Sequence, residues 1–300
     1  MQFLKQMILE INQLTKHYGR IKAIDNLSLE VEKGQVYGIL GPNGSGKTTT
    51  LSVIMGVIHP HSGSFSWFGN TGKCRDRQMK IGGLIEVPSF YPYLSLVKNL
   101  KVVAYIKNAP FDDIDRVLKI TRLYHRRHSP YRTLSLGMKQ RLSIASVMLG
   151  NPEVMVLDEP TNGLDPEGIA EVRDIIQKEA ELGKTIILAS HILAEVEKVC
   201  THAAVLKDGV LLASGRVDEL LGSGQAFLIS APDIEKLEAH LVNSKIIKSV
   251  SRRDDELVVN CAGSTTAGEL NKFAFDHDII LTKLTPLKKS LESQFLELVK

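Results

Sequence analysis

The chain has 300 residues, of which 43% are hydrophobic and 24% charged, with a formal net charge of +3. That is the make-up of an ordinary soluble globular protein with ample core, as one large domain or two smaller ones, and the charge is too small to argue for nucleic acid. It contains no stretch near the roughly 18 uninterrupted apolar residues of a membrane span, and its opening apolar run is too short for a signal peptide. Cys74, Cys200 and Cys261 stand far apart with no metal-ligand spacing, so reduced thiols are expected. Arg126, Arg127 and His128, and Lys288 with Lys289, read as solvated surface rather than as a basic stripe.

In chain order, residues 7–14 and 23–31 alternate in polarity and predict antiparallel strands, with turns at Tyr18-Gly19 and Lys33-Gly34. The apolar run 36–40 predicts a strand that begins an α/β core, followed by strands at 64–68 and 81–85. Helices are expected over 96–107 and 112–123, separated by Pro110, and over 138–149, ended by Gly150, Asn151 and Pro152. A buried strand comes next at 154–157, then a helix at 166–182 with Pro166 in its first turn and Gly183 at its stop, and a strand at 185–189. A helix at 192–199 and a hairpin of 203–206 with 210–213 across Asp208-Gly209 complete this part. Gly222, Ser223 and Gly224 read as a linker. Beyond it, strand 226–230, helix 233–241, strands 246–250 and 256–260, helix 267–275 and strand 279–284 keep the order of a small split-βαβ sandwich. A closing helix would place Leu287, Leu291, Phe295 and Leu298 on one core-facing stripe. Two domains result, 1–222 and a small α+β domain at 225–300.

The most specific signal is Gly41, Pro42, Asn43, Gly44, Ser45, Gly46, Lys47, Thr48, which spells G-x-x-x-x-G-K-[ST] between a strand and a helix. Glycines let the backbone curl so that N–H groups point at phosphate oxygens, backed by the positive end of the helix. Lys47 would reach the β- and γ-phosphates, and the Thr48 hydroxyl would ligate Mg²⁺. This pattern predicts binding of a nucleoside triphosphate. The strand 154–157 then runs into Asp158 and Glu159, at the carboxyl edge of an open sheet, beside the phosphate loop. There Asp158 would hold Mg²⁺, and Glu159 would polarise the attacking water.

Around that pair lie Thr133 to Leu142 (TLSLGMKQRL) upstream, and Pro160 to Asp165 (PTNGLD) and then Ser190-His191 downstream. With these, the chain resembles the ATP-binding cassette (ABC) family over nearly all of residues 7–222. The resemblance implies a P-loop cassette with a mixed-sheet core, an antiparallel β subdomain and a helical subdomain. It implies that Tyr18 stacks on adenine and that Ser45 and Thr49 add phosphate contacts. Ser135 and the backbone around Gly137 would form the signature loop, which presses on ATP held by a second copy. Asp165 would sit in the D-loop at the dimer interface, and His191 at the switch position against the γ-phosphate.

Two positions depart from the family's pattern. Leu136-Gly137 stands where the signature usually has a glycine pair, with Met138 in place of its glutamine, and Glu86 occupies the usual glutamine position of the Q-loop. Glutamate still approaches Mg²⁺ or water but adds charge. Both departures resemble the ATPase subunits of bacitracin- and lantibiotic-type exporters. The resemblance therefore implies an ATP-hydrolysing subunit using ATP and Mg²⁺, working as a clamped homodimer on a separate membrane permease, at the cytoplasmic face of the membrane. The segment 87–94, with Pro88, Phe90, Tyr91, Pro92 and Tyr93, would grip that permease. The alternative is a soluble cassette ATPase acting on ribosomes or nucleic acid. With one cassette, no heptad insertion and no basic stripe, nucleic acid is not expected.

Overall fold

Val36–Leu40 (β3), Val154–Asp158 (β6) and Thr185–Ser190 (β7) are buried at every residue. Strands apolar on both faces belong inside a covered parallel sheet. The computed structural model describes residues 6–70, 79–86, 89–220, 226–242, 244, 246–261 and 265–287. It places these strands in a six-stranded sheet of order β5-β6-β7-β3-β8-β9. Here β5 is Ile81–Leu84, β8 His202–Lys207 and β9 Val210–Arg216. All neighbours are parallel except the β8–β9 hairpin, whose turn takes Asp208 and Gly209 at φ of 50° and 81°. Two positive φ values suit the twist of a tight hairpin.

A second, antiparallel sheet has the order β2-β1-β4, from Met7–Tyr18 (β1), Ile21–Glu32 (β2) and Ser62–Trp67 (β4). The first two strands run longer than their alternation predicts. Irregular register around Leu14, with Gln13 and Asn26 at positive φ, breaks the period without ending the pairing. Between the sheets lies a shared core that includes Ile11, Leu27, Ile39, Leu51, Ile54 and Trp67, with the Trp67 indole donating to the Ile54 carbonyl at 2.8 Å. Lys47–Ile54 (α1) leaves β3 through the phosphate loop. Leu96–Lys107 (α2), Asp113–Ile120 (α3) and Leu136–Met148 (α4) form the helical part. Arg141 ties α4 to its neighbours, donating to Thr121 and pairing with Glu171 at 3.2 Å on Pro166–Glu181 (α5). Leu193–Val199 (α6) packs so closely on β3 that a Cβ at Gly38 would lie 2.7 Å from Val196 Cγ1.

The chain divides into two units, Met1–Val217 and Asp218–Lys300. In the second, β10 (Ala226–Ser230) pairs with both β12 (Glu256–Cys261) and β13 (Lys283–Leu287), and β11 (Ile247–Arg253) lies outside β12, all antiparallel. With Ile234–Val242 (α8) and Ala267–Asp276 (α9), after the short turn of helix Val217–Leu220 (α7), this is the split-βαβ order. Phe227, Ile229, Leu237, Leu257, Val259 and Leu270 make its core. The last strand is displaced from the expected 279–284. Ile279 is buried because its N–H closes the end of α9 on Ala274, with Asp278 at φ 60°, and pairing starts only at Lys283. Leu287, expected to open a closing helix, is the last residue of β13. The remainder of that helix, Cys74, the linker glycines, Val87 and Pro88 lie outside the described residues.

Candidate active site

The sheet register brings the strand ends together. Leu40 pairs with Ser190, Asp158 with Ala189, and Leu84 with Leu157, so the segments leaving β3, β7, β6 and β5 emerge side by side. They carry, in that order, the phosphate loop, His191, Glu159 and Glu86.

In the loop, Gly44 and Gly46 take φ of 82° and 102°, a region that favours glycine. A Cβ on Gly46 would lie 2.3 Å from the Ala23 carbonyl, so the loop has no room for a side chain there. Gly46 is also the N-cap of α1 and offers no side-chain cap, which leaves the first-turn N–H groups free for an anion. The Lys47 ammonium is buried, donating to the carbonyls of Gly41 at 2.9 Å and Pro42 at 3.1 Å, and lies 3.4 Å from Glu159 Oε1. Thr49 is half-buried in the first turn, and Pro42, Asn43 and Gly44 face outward.

Glu159 joins the two halves of the site. Its Oε1 faces Lys47, and its Oε2 lies 2.8 Å from His191 Nδ1. Its N–H donates to the Ala189 carbonyl at 2.9 Å, and its φ is 45°. A non-glycine residue held in the left-handed region carries strain that neighbouring contacts must support. Glu86 shares this conformation, with φ 60°, at the end of the adjacent strand. Asp158 hydrogen-bonds with the Thr48 side chain. Burial pushes its carboxyl above the usual carboxylate value, the charges of Glu159 and Glu86 push the same way, and Thr48 and Lys47 oppose them.

Ser45 Oγ and Asp158 Oδ1 are buried with no hydrogen-bond partner among the described residues. Buried polar atoms are normally satisfied. A phosphate oxygen at Ser45 and a divalent cation at Asp158 and Thr48 would supply what these atoms lack, so the residues fit both groups.

Ser135, Gly137 and Asp165 lie elsewhere. They line one cleft, with Leu136, Gly163 and Arg141. Ser135 caps α4, accepting from the Met138 N–H at 3.3 Å, and Asp165 caps α5, accepting from Gly168 at 2.9 Å. Leu136 is 57% exposed above that cleft. Tyr18 is half-exposed at the end of β1, in the hairpin whose Ala23 abuts Gly46. Sequence reasoning named Ser190 beside His191 but gave it no role; its Oγ accepts from the Ile192 N–H at 3.0 Å and sets the turn carrying His191. Sequence reasoning missed Asn99, which is buried on α2. Its amide accepts from the Tyr91 N–H at 2.8 Å and donates to the carbonyls of Tyr91, Leu94 and Ser95. A lone asparagine between Leu96 and Leu100, on the buried side of a helix, was its only sequence signal.

A phosphate loop, a paired acid and a histidine at the carboxyl edge of a mostly parallel sheet define a P-loop nucleotide hydrolase. The family model described as ABC transporter matches residues 24–162. The bacitracin transport ATP-binding protein BcrA of Bacillus licheniformis is 37% identical over 97% of each chain. The lantibiotic transport ATP-binding protein SrtF of Streptococcus pyogenes is 38% identical over 70% of this chain and 92% of its own. Among solved structures, CbiO1 of Clostridium perfringens, part of the ABC transporter complex CbiONQ, is 30% identical with a TM-score of 0.65, over 72% of this chain and 91% of that one. The chain belongs to the ATP-binding subunits of ABC transporters. It binds nucleotide, and its activity is ATP hydrolysis coupled to transport.

Proposed function

We propose that this chain powers an exporter of antimicrobial peptide, drug or lipid-like compounds, as two copies that close on ATP beneath a separate permease at the cytoplasmic face of the membrane. The exporter class rests on similarity to proteins named for bacitracin and lantibiotic transport. No described helix is long and apolar enough to cross a membrane, so the crossing is assigned to the permease.

One observation carries the mechanism. Glu159 touches Lys47 and His191 at once, while Ser135, Gly137 and Asp165 line a cleft of their own. No hydrogen bond or ion pair among the described residues links the two groups. Each group is half of a site, and a facing copy supplies the other half. Lys47 exchanges its loop carbonyls for the β- and γ-phosphates, and the first-turn N–H groups of α1 hold the phosphate oxygens. Glu159 accepts a proton as the water oxygen bonds to the γ-phosphorus. The bond to the β,γ-bridging oxygen breaks, leaving ADP and phosphate. His191, held at Nδ1 by Glu159, when protonated donates from Nε2 to the γ-phosphate. Thr48 and Asp158, with Glu86 nearby, would hold Mg²⁺, which would supply charge neutralisation when bound. Tyr18 of the same copy as the phosphate loop supports the adenine, and from the partner copy Ser135 and the N–H groups at the start of α4 complete the γ-phosphate cage. Segment 87–94 transmits closure to the permease.

Light scattering of Glu159→Gln tests this. MgATP should convert monomer to dimer and ADP should not. A monomer in both, with nucleotide bound, would remove the homodimer.

A further inference from the structure

Between residues 89 and 149 the chain carries eleven lysines and arginines against three aspartates and no glutamate, although acids outnumber bases in the rest of it. Apart from the adjacent pair Arg126-Arg127, the bases are spaced among other residues, so no long run announces them. Some are spent internally. Arg116 pairs with Asp113, Arg122 with Asp174 and Arg141 with Glu171, and Lys107 donates to the carbonyls of Ser146 and Val147. Others make no ion pair among the described residues and lie on aromatic rings instead. Arg132 is 5.1 Å from the centre of Tyr93, Arg127 is 4.3 Å from Tyr124, Lys139 is 5.4 Å from Tyr131, and Lys101 is 5.9 Å from Phe111. Arg126 and Arg127 are half-buried rather than freely solvated, and Arg127 folds back to donate to the Tyr124 carbonyl.

The loop bases and the start of α2 are joined through the backbone. The Val97 N–H donates to Arg127 and the Leu96 N–H to Ser129, while the N–H groups of Tyr131 and Arg132 donate back to Leu94 and Pro92. The loop at 124–132 is thereby zipped to the start of α2. Along α2, Lys98, Lys101 and Tyr105 recur at helical spacing on its outer side. Tyr93 is 77% exposed and Tyr105 80%. An exposed tyrosine that carries a cation, as Tyr93 carries Arg132, beside a second exposed ring at Tyr105 matches the headgroup layer of a bilayer, where the ring lies among the upper acyl chains and the charge meets phosphate.

We propose that this face, α2 with the loop at 124–132, rests on anionic phospholipid headgroups. The inference builds on the membrane role proposed for this chain and adds a direct lipid contact beside the permease, with Tyr93, in the segment assigned to the permease, at the border of the two. An acidic peptide is the less suitable occupant. The cations spread over a helix and a loop rather than converging on a groove, and the large exposed rings gain little from carboxylates.

The test is flotation of the full chain with vesicles of 30% phosphatidylglycerol in phosphatidylcholine, and with pure phosphatidylcholine. The chain should float with the anionic vesicles only, and 1 M salt should release it, since the screening length falls to about 3 Å. Each basic residue at such a surface strengthens binding about fivefold, so Lys98→Glu/Lys101→Glu/Arg132→Glu should weaken it by on the order of 100-fold or more. ATP-driven pairing of Glu159→Gln, measured without lipid, should survive those three substitutions and shows that the chain is folded. Equal binding to neutral vesicles would overturn the proposal. So would no binding to anionic vesicles, whatever the chain does with polyglutamate or RNA. Because pairing is read separately, failure of either proposal leaves the other standing.

Discussion

Replacing Asn99 with leucine removes an amide that makes four hydrogen bonds while keeping the same branched shape and number of heavy atoms. The carbonyl partners keep other donors. Tyr91 O still accepts from Leu94, Leu94 O from Tyr131, and Ser95 O from the Asn99 backbone. The Tyr91 N–H has no second acceptor among the described residues. The loss is therefore about 1 kcal/mol of net hydrogen bonding plus about 1–3 kcal/mol for the stranded donor, offset by roughly 1 kcal/mol of added apolar burial. A net loss of about 2 kcal/mol in a unit of this size lowers its melting temperature by about 4–8 °C. The protein's single tryptophan, Trp67, is buried in the first unit, so its fluorescence tracks that unit's unfolding. Hydrogen exchange at the Tyr91 amide should accelerate in parallel, while nucleotide binding persists because Asn99 touches none of the phosphate-loop residues. A melting temperature within about 1 °C of wild type would refute the claim that Asn99 braces the 91–95 turn.

Asp158→Asn should be more stable than wild type at pH 7 yet inactive. The carboxyl's raised value means that the folded chain holds its proton more tightly than the unfolded chain, so ionisation penalises the fold. That advantage should shrink as pH falls through the raised value toward the ordinary 3.8 in urea titrations, and an advantage independent of pH would contradict this cause. Lys107 shows the opposite sign. Burial lowers its ammonium from 10.5 to about 8, so the unfolded chain binds more protons between those values and stability should rise with pH across that window. Comparison with Lys107→Met isolates the effect; an equal rise in the variant would assign it to other groups.

The phosphate loop was legible because its chemistry is contiguous. Three glycines, a lysine and a threonine within eight residues, between an apolar strand and a helix, leave little else to build. The acid pair was legible from a buried run ending in charge, and the second unit's order from alternating helix and strand periods. The features that escaped depend on contacts distant in sequence. The left-handed φ of Glu159 is imposed by Ala189, Lys47 and His191, and nothing in its local residues announces it. Ile279, Ile280 and Leu281 read as a strand because apolar runs do. Ile279 instead serves the end of a helix, and the strand includes Pro286, which a sheet edge tolerates. The basic face escaped because most of its bases are spaced along the chain, and its one adjacent pair, Arg126-Arg127, read as solvated surface.

The central claim, a catalytic site completed by two copies around Glu159 and Lys47, is tested most directly by phosphate release from MgATP. The purified chain is set beside Glu159→Gln and Lys47→Ala at equal nucleotide occupancy. Rate per chain should climb with protein concentration, as a two-copy site requires, and each substitution should lower it by about 100-fold or more. A Glu159→Gln protein releasing phosphate at the wild-type rate would contradict the claim.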